Sequence, residues 1–408
     1  MARENNFVVG LDIGTSKTVA LAAEFDDEDH INIVGVGIKN SQGIQNGRVT
    51  NIEHTVNTIS RVIEELELMA DCNVSDVYVS ISGSHLKSFN SHGLVASNSM
   101  EITATDVERV METARAMPVP ADQEIFHVLP QEFTIDGQDG ISEPIGMNGR
   151  RLEVRTHIVT GATSAMQNII KCVRRCGLEA IDLVAQPLAS SYAVLSKDEK
   201  DLGVCLIDIG GGTMDIAVWS KGAVRHTAVL PMAGDNITSD IAMVIRTPKK
   251  EAELIKCRFG NAMSDLSDPE EFINVAGVND RPSRRLSCRA LADVIQPRVE
   301  EMFECVQLEL KHAGFLDSLS SGIVLTGGAS VMPGMLELGE EIFQVPLRLG
   351  VPQYQGSMAD KMKNTGMACA YGLILEALNQ RRRGQKIQEK QSFRDTFHRV
   401  KGWIVKNF

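Results

Sequence analysis

Asp208-Ile209-Gly210-Gly211-Gly212-Thr213-Met214-Asp215 follows the apolar run Gly203-Val204-Cys205-Leu206-Ile207, and near the start of the chain Asp12-Ile13-Gly14-Thr15-Ser16-Lys17 follows Phe7-Val8-Val9-Gly10-Leu11. Each stretch reads as a buried strand, an Asp at its end, a Gly/Thr hairpin and a second strand: Ile216 to Ser220 in one case, Thr18 to Phe25 in the other. Glycines let a turn take positive φ and bring backbone N–H groups close to an anion. An Asp at a strand end can hold a metal ion or its water shell against phosphates. Two such hairpins facing each other would grip a polyphosphate from both sides. Neither is a P-loop or a G-x-G-x-x-G dinucleotide turn.

The surrounding pattern repeats as well. Strands are expected at about 7–14, 18–25 and 31–38, then a helix from His54 to Ala70 and a buried strand at Val77-Tyr78-Val79-Ser80-Ile81. Downstream, strands at about 203–209, 213–220 and 223–231 lead into a helix near Asp235. This is the signature of one architecture used twice. Two inserts interrupt it. Residues 84–162 hold a helix expected to start at the capping box Thr105-Asp106-Val107-Glu108, with strand-like runs from Glu124 to Leu129 and from Arg151 to Val159. Ser164-Ala165-Met166-Gln167 reads as a second capping box, opening the helix that returns to the first lobe. Residues 244–310 read as mostly helical, with Pro297 expected to break or kink the pattern from Ser287 to Lys311. A last apolar helix is expected from Asn364 to Leu378.

At 408 residues the chain suits two or more domains. No apolar run approaches the roughly 20 residues needed to span a bilayer, and Met1 to Phe7 has no signal-peptide core. The eight cysteines contain no C-x-x-C pair and read as reduced thiols of a cytoplasmic protein. The charge is asymmetric. From Asn379 to Phe408, nine Lys and Arg face two acids, a net of +7, so the body carries −19 against −12 for the whole chain. An acidic body argues against nucleic acid as a partner.

Residues 379–392 are polar and charged and read as a flexible linker. Beyond them, Phe393, Phe397, Val400, Ile404 and Phe408 fall within about 80° of one another at helical spacing. Trp403 flanks that face, with Arg394 and Lys401 on one side. This is a basic amphipathic helix suited to a membrane interface. A helix docked on the protein's own body is the alternative.

In order along the chain, the two hairpins, Val184-Ala185-Gln186-Pro187-Leu188-Ala189-Ser190-Ser191-Tyr192, the stretch from Val324 to Ser330, and Gly366-Met367-Ala368-Cys369-Ala370-Tyr371-Gly372 resemble the five motifs of the actin, sugar-kinase and heat-shock-chaperone ATPase superfamily. The resemblance implies an α/β, actin-like two-lobed ATPase fold with duplicated lobes, two inserted subdomains and the C-terminal amphipathic helix. It implies ATP and Mg²⁺ as cofactors. Backbone N–H groups of Gly14, Thr15, Ser16, Gly210, Gly211 and Gly212 would cradle phosphates, with hydroxyls from Thr15 and Thr213 and a point charge from Lys17. Asp12 and Asp208 would orient Mg²⁺ through water. Gly327 and Gly328 would let adenine lie against the backbone, Gly234 would sit nearby, and Glu253 and Lys256 would contact ribose and adenine. Gln186 stands where relatives carry a residue that positions the attacking water; a Gln is a weak base, so hydrolysis is expected to be slow at most.

An actin-like body with a membrane-targeting tail resembles the FtsA family of bacterial cell-division proteins, as does the stretch Gly140-Ile141-Ser142-Glu143-Pro144-Ile145-Gly146-Met147-Asn148-Gly149-Arg150-Arg151-Leu152-Glu153. That resemblance assigns residues 1–83 and 163–195 to subdomain IA, 84–162 to IC, 196–243 and 311–378 to IIA, 244–310 to IIB and 393–408 to the membrane helix. It implies a filament of like copies on the cytoplasmic face of the inner membrane at the division site. The filament would bind the C-terminal peptide of FtsZ through IIB, with Arg298 as a contact, and further division proteins through IC. A small-molecule kinase of the same superfamily and a pilus-assembly adaptor are the rival readings. The first lacks a recognisable general base, and the basic tail speaks against both.

Overall fold

The computed structural model describes residues 7–26, 30–277 and 282–382. The chain divides into two compact units. The first comprises Met1–Ile81, Ser164–Ala193 and Val351–Phe408; the second comprises Ser82–Thr163 and Val194–Gly350.

Strands β1 (Phe7–Ile13), β2 (Lys17–Phe25) and β3 (Ile31–Asn40) form a meander, followed by the short pair β4 (Ile44–Gln45) and β5 (Arg48–Val49), helix α1 (Ile52–Ala70) and strand β6 (Asp76–Ile81). An inserted module follows: β7 (Lys87–Ala96), α2 (Ala104–Arg115), β8 (Gln123–Ile135), β9 (Gln138–Ile141) and β10 (Arg151–Ala162). Next come α3 (Thr163–Arg175), β11 (Glu179–Ala185), α4 (Gln186–Val194) and α5 (Lys197–Leu202), then a second meander of β12 (Val204–Ile209), β13 (Met214–Ser220) and β14 (Ala223–Leu230). Helices α6 (Gly234–Ile245) and α7 (Lys249–Phe259), strands β15 (Phe272–Val275) and β16 (Arg284–Ser287) and the long helix α8 (Cys288–Ala313) precede β17 (Ile323–Thr326), α9 (Met335–Phe343) and β18 (Leu347–Leu349). The described chain ends with α10 (Ala359–Met362) and α11 (Ala368–Arg382).

The duplication expected from the sequence is visible in the sheets. The first unit orders its strands β11-β6-β1-β2-β3, and the second orders its own β18-β17-β12-β13-β14. In each, an antiparallel meander is extended by two parallel strands beside its first strand. The central strands β1 and β12 are buried almost throughout, as strands covered on both faces must be, which is why they read as unbroken apolar runs. In the first unit α1 begins at Asn51, whose side chain accepts the N–H of His54 at 3.1 Å, and buries Ile59, Val62, Ile63 and Leu66. In the second, Leu291, Ile295, Val299, Met302, Phe303 and Val306 of α8 enter the same core as β12 and β13.

The inserted module has its own core, in which Val110 and Ala114 of α2 meet Val95, Phe133, Leu152 and Val154. Within the second unit it meets edge strand β14 through polar groups. Ser88 donates to the carbonyl of Thr227 at 2.7 Å, and Gln131 donates to that of Val224 at 2.8 Å. Buried His157 bridges Asn90 Oδ1 and Thr227 Oγ1, both at 2.9 Å. Burial, with His226 and His127 nearby, pushes its pKa down to about 3, so it is neutral.

Several local expectations are corrected. Helix α2 starts at Ala104 rather than at the Thr105 box, because Thr103 and Asp106 form the reciprocal cap: Thr103 N–H reaches Asp106 Oδ2 at 3.0 Å and Asp106 N–H reaches Thr103 Oγ1 at 3.3 Å. Helix α3 starts at Thr163, directly off β10, rather than at the Ser164 box. Helix α8 is unbroken at Pro297. Helix α11 runs to Arg382, four residues into the stretch read as linker. The rest of that linker and the whole of the amphipathic stretch from Phe393 to Phe408 lie outside the described residues. Among the described residues no helix is long and apolar enough to cross a membrane, and all eight cysteines are free.

Candidate functional site

In the first unit, β1 delivers Asp12 to the mouth of the Gly14-Thr15-Ser16 hairpin. The residue is 6% exposed. Ser80, on neighbouring β6, donates to its Oδ1 at 2.7 Å and accepts the N–H of Ile13 at 3.2 Å. Burial raises the carboxyl's pKa, and the opposing pull of Ser80, Cys369 and the Lys17 charge does not cancel it. The Gly14 N–H closes its own turn onto the Lys17 carbonyl at 3.1 Å, so it is not a phosphate donor. Among the described residues the N–H groups of Thr15 and Ser16 have no protein partner. Thr15 Oγ1 accepts the N–H of Gly47 at 3.0 Å, which leaves its own proton to give. Lys17 lies over Gly366, its Nζ 2.0 Å from where a Cβ would stand, so the late glycine motif and the first hairpin meet. Gln186 opens α4 and is partly exposed. Because β11, β6 and β1 run parallel, it stands at the same end of the sheet as Asp12.

The second unit holds the equivalent arrangement. Asp208 is 3% exposed at the end of β12, and the Gly210 N–H closes the turn onto the Thr213 carbonyl at 2.9 Å. Gly211 and Gly212 are the residues whose N–H groups, among the described residues, lack a protein partner. The Thr213 hydroxyl does not stand free for a ligand. It donates to Asp215 Oδ2 at 3.0 Å and lies 3.2 Å from Ser82 Oγ, which itself donates to Asp215 Oδ1 at 2.7 Å. Asp215 is fully buried and acts as the brace of this hairpin. The sequence motif contains it, but its role depends on Ser82, a partner far away along the chain.

A second group closes on the hairpin from the side of α6. The Gly234 N–H donates to the Gly210 carbonyl at 3.2 Å and the Asp235 N–H to the Gly211 carbonyl at 2.7 Å. The turn after β17 packs underneath: Ala329 N–H reaches the Ile209 carbonyl at 3.0 Å. Gly327 has φ of +88°, and a Cβ there would stand 2.3 Å from Asp208 Oδ1, so only glycine fits. Gly328 is exposed with nothing within 4 Å of a Cβ, an open backbone surface against which a flat base could lie. Glu253 and Lys256, on α7, pair with each other, Nζ 2.7 Å from Oε2. Lys256, however, is 8% exposed and points inward.

Arg298 stands elsewhere, on α8. Its guanidinium makes a two-pronged contact with Asp240 of α6 and a further one with Glu301, which raises its pKa. Any acidic ligand there competes with two carboxylates already in place.

A family description, "Cell division protein FtsA", matches residues 205–372, and a second, "SHS2 domain inserted in FTSA", matches residues 83–160. The cell division protein FtsA of Pseudomonas aeruginosa is 47% identical over 413 residues, covering 100% of this chain and 99% of the relative. That of Escherichia coli strain K12 is 40% identical over 417 residues, covering 100% and 99%. That of Bacillus subtilis is 40% identical over 386 residues, covering 94% and 86%. Among solved structures, the PilM-PilN type IV pilus biogenesis complex aligns with TM-score 0.65 at 17% identity, over 91% of this chain and 98% of that one. MreB 5 of Spiroplasma citri bound to AMPPNP aligns with TM-score 0.57 at 14% identity, over 94% and 100%. At those identities the structural likeness speaks for the fold alone, and the fold is actin-like.

Proposed function

Because the chain belongs to the FtsA family of cell division proteins, we propose that it is an ATP-binding adaptor. It assembles with copies of itself at the cytoplasmic face of the inner membrane and tethers FtsZ filaments there. The observation that carries the nucleotide part is the matched pair of hairpins. In each unit a buried Asp ends the central strand, and the following Gly/Thr turn offers partnerless N–H groups: Thr15 and Ser16 in one, Gly211 and Gly212 in the other. Each hairpin suits the phosphates of a nucleotide, with Lys17 adding charge in the first unit and Gly328 offering a seat for a base in the second. Asp12 and Asp208 are hard oxygen donors, which suits Mg²⁺ held through its water shell. The ion, when bound, supplies neutralisation of phosphate charge. Gln186 orients a water without acting as a strong base, so turnover is slow and the nucleotide serves mainly to favour assembly.

The C-terminal peptide of FtsZ docks on residues 244–310, where Arg298 exchanges Asp240 or Glu301 for a peptide carboxylate. The inserted module takes further division proteins. The stretch from Phe393 to Phe408 holds the assembly on anionic lipid, one copy weakly and a row of copies tightly.

The test is co-sedimentation with anionic liposomes in the presence of ATP, comparing the full chain with one ending at Ser392. The full chain is expected to pellet and the shorter one to stay in solution, and FtsZ peptide should pellet only with the full chain. If both chains stay soluble, or both pellet equally, the tail is not the anchor and the membrane part of this reading falls.

A further inference from the structure

The last turn of α11 ends the described chain, and one amide holds it to the sheet. Gln380 Nε2 has two protons and gives both away: one to Asp182 Oδ2 on β11 at 2.7 Å, the other to Glu376 Oε1, one turn back on α11, at 3.2 Å. Its carbonyl accepts the hydroxyl of Tyr78 on β6 at 3.2 Å. Tyr78 is 1% exposed and Glu376 9%. A single side chain therefore ties a helix to two strands, and it does so by bridging two carboxyls. Two like charges on one shared donor, away from water, do not both form without cost. Burial first, then the Glu376 charge, push the Asp182 pKa up to about 6 against the pull of Gln380 and the Leu183 N–H. Tyr78 stays a donor, because burial and the charges of Asp182, Glu376 and Asp76 raise its pKa. Arg381, the next residue, is engaged with the Phe25 ring, 5.7 Å from its centroid.

We propose that Asp182, Glu376 and Gln380 form a proton-operated catch: while the two carboxyls hold one proton, the last turn of α11 stays closed on β6 and β11, and when that proton leaves, the turn opens more often. An open turn returns Asp182 to the acidity of an exposed carboxyl. Closure is therefore favoured at low pH and weakens as pH rises through about 6. Between about pH 8 and about pH 5 the closed form gains about tenfold over the open one. On the tail reading above, the catch also sets reach. About four residues passing from helix to extended chain, from about 1.5 to about 3.5 Å each, lengthen the path to the basic stretch by about 8 Å.

Hydrogen–deuterium exchange of the full chain, without lipid or nucleotide and corrected for the intrinsic effect of pH on exchange, tests it. Amides from Ala377 to Arg382 are expected to open about tenfold more often at pH 8 than at pH 5 and, at both, more often than those of β1. Asp182→Asn, which keeps an acceptor for Gln380 and cannot ionise, should hold the turn closed at both pH values. Glu376→Gln should shrink the pH dependence, and it decides the matter if the asparagine variant fails to fold. Tyr78→Phe, which removes a bond and no charge, should loosen the turn equally at both. Opening of the native chain that ignores pH overturns the catch, as does a pH dependence that survives Asp182→Asn or is undiminished in Glu376→Gln. Last-turn amides that exchange only as fast as those of β1 open with the whole unit, which sinks it too. If the tail proves not to be the anchor, only the consequence for reach falls, and the catch stands.

Discussion

Asp182 shows how far one buried carboxyl can bias this chain. Burial first, then the neighbouring Glu376, push its pKa up to about 6, although Gln380 donates to it at 2.7 Å. Tyr78 donates to the same Gln380 side chain at 3.2 Å, so the cluster fastens the last turn of α11 to β6 and β11. The folded carboxyl binds its proton more tightly than the unfolded one, so its contribution to stability is present at low pH and is lost as pH rises through about 6. Asp182→Asn keeps an acceptor for Gln380 and removes that loss. Urea melts of the two chains should show a stability gap that widens in favour of the variant by about 1 kcal/mol between about pH 5 and pH 8. A gap that does not change with pH would mean the carboxyl is not titrating in the folded chain.

Single residues were also where the sequence was hardest to interpret. Asp12, Asp208, Gly327 and Gly328 stand at the strand ends and turns that the sequence indicates, because each is placed by its own strand and turn. Lys256 and Thr213 have the right chemistry but spend it internally, on Thr238 and Glu253 in one case and Asp215 in the other. Nothing local to either residue announces those partners.

At the level of elements, the crossing of α4 and α11 is the tightest packing in the first unit's glycine motif. A Cβ on Gly372 would stand 1.8 Å from the Ala189 carbonyl oxygen. The backbones must separate to admit even one methyl, so Gly372→Ala should cost about 3 kcal/mol, read as a lower melting midpoint in circular dichroism. A neutral substitution would show that the two helices slide apart freely. Strand positions were legible because β1, β2, β12 and β13 are long apolar runs closed by glycine turns. Helix starts were less so: Thr103 and Thr105 each precede an acid three residues on, and only the folded backbone selects the first. Pro297 does not break α8, since tertiary burial of Ile295 and Val299 on either side holds the helix together through the lost hydrogen bond.

For the molecule as a whole, charge separates the body from its basic end. If that end reaches the membrane by both charge and apolar burial, the two parts respond differently to salt. Raising ionic strength from about 0.1 to about 1 M shortens the screening length from about 10 to about 3 Å. Liposome pelleting should therefore fall severalfold yet leave a residue due to the aromatic face. Pelleting that ignores salt would assign no part to Arg394, Lys401 and their neighbours. Duplication, too, was legible at this scale, because two copies of one pattern support each other. The packing of the inserted module was not, since its contacts with β14 join residues that are polar on both sides.

That module begins and ends on paired strands, with Lys87 beside Thr160. Its hydrophobic centre is its own, and it meets β14 through hydrogen bonds to the carbonyls of Thr227 and Val224 and one between His157 and the Thr227 hydroxyl. Such a graft leaves a scar one strand pair wide. Descent can rewrite its outer surface, or exchange it for another of the same width, without asking its host to learn a new fold.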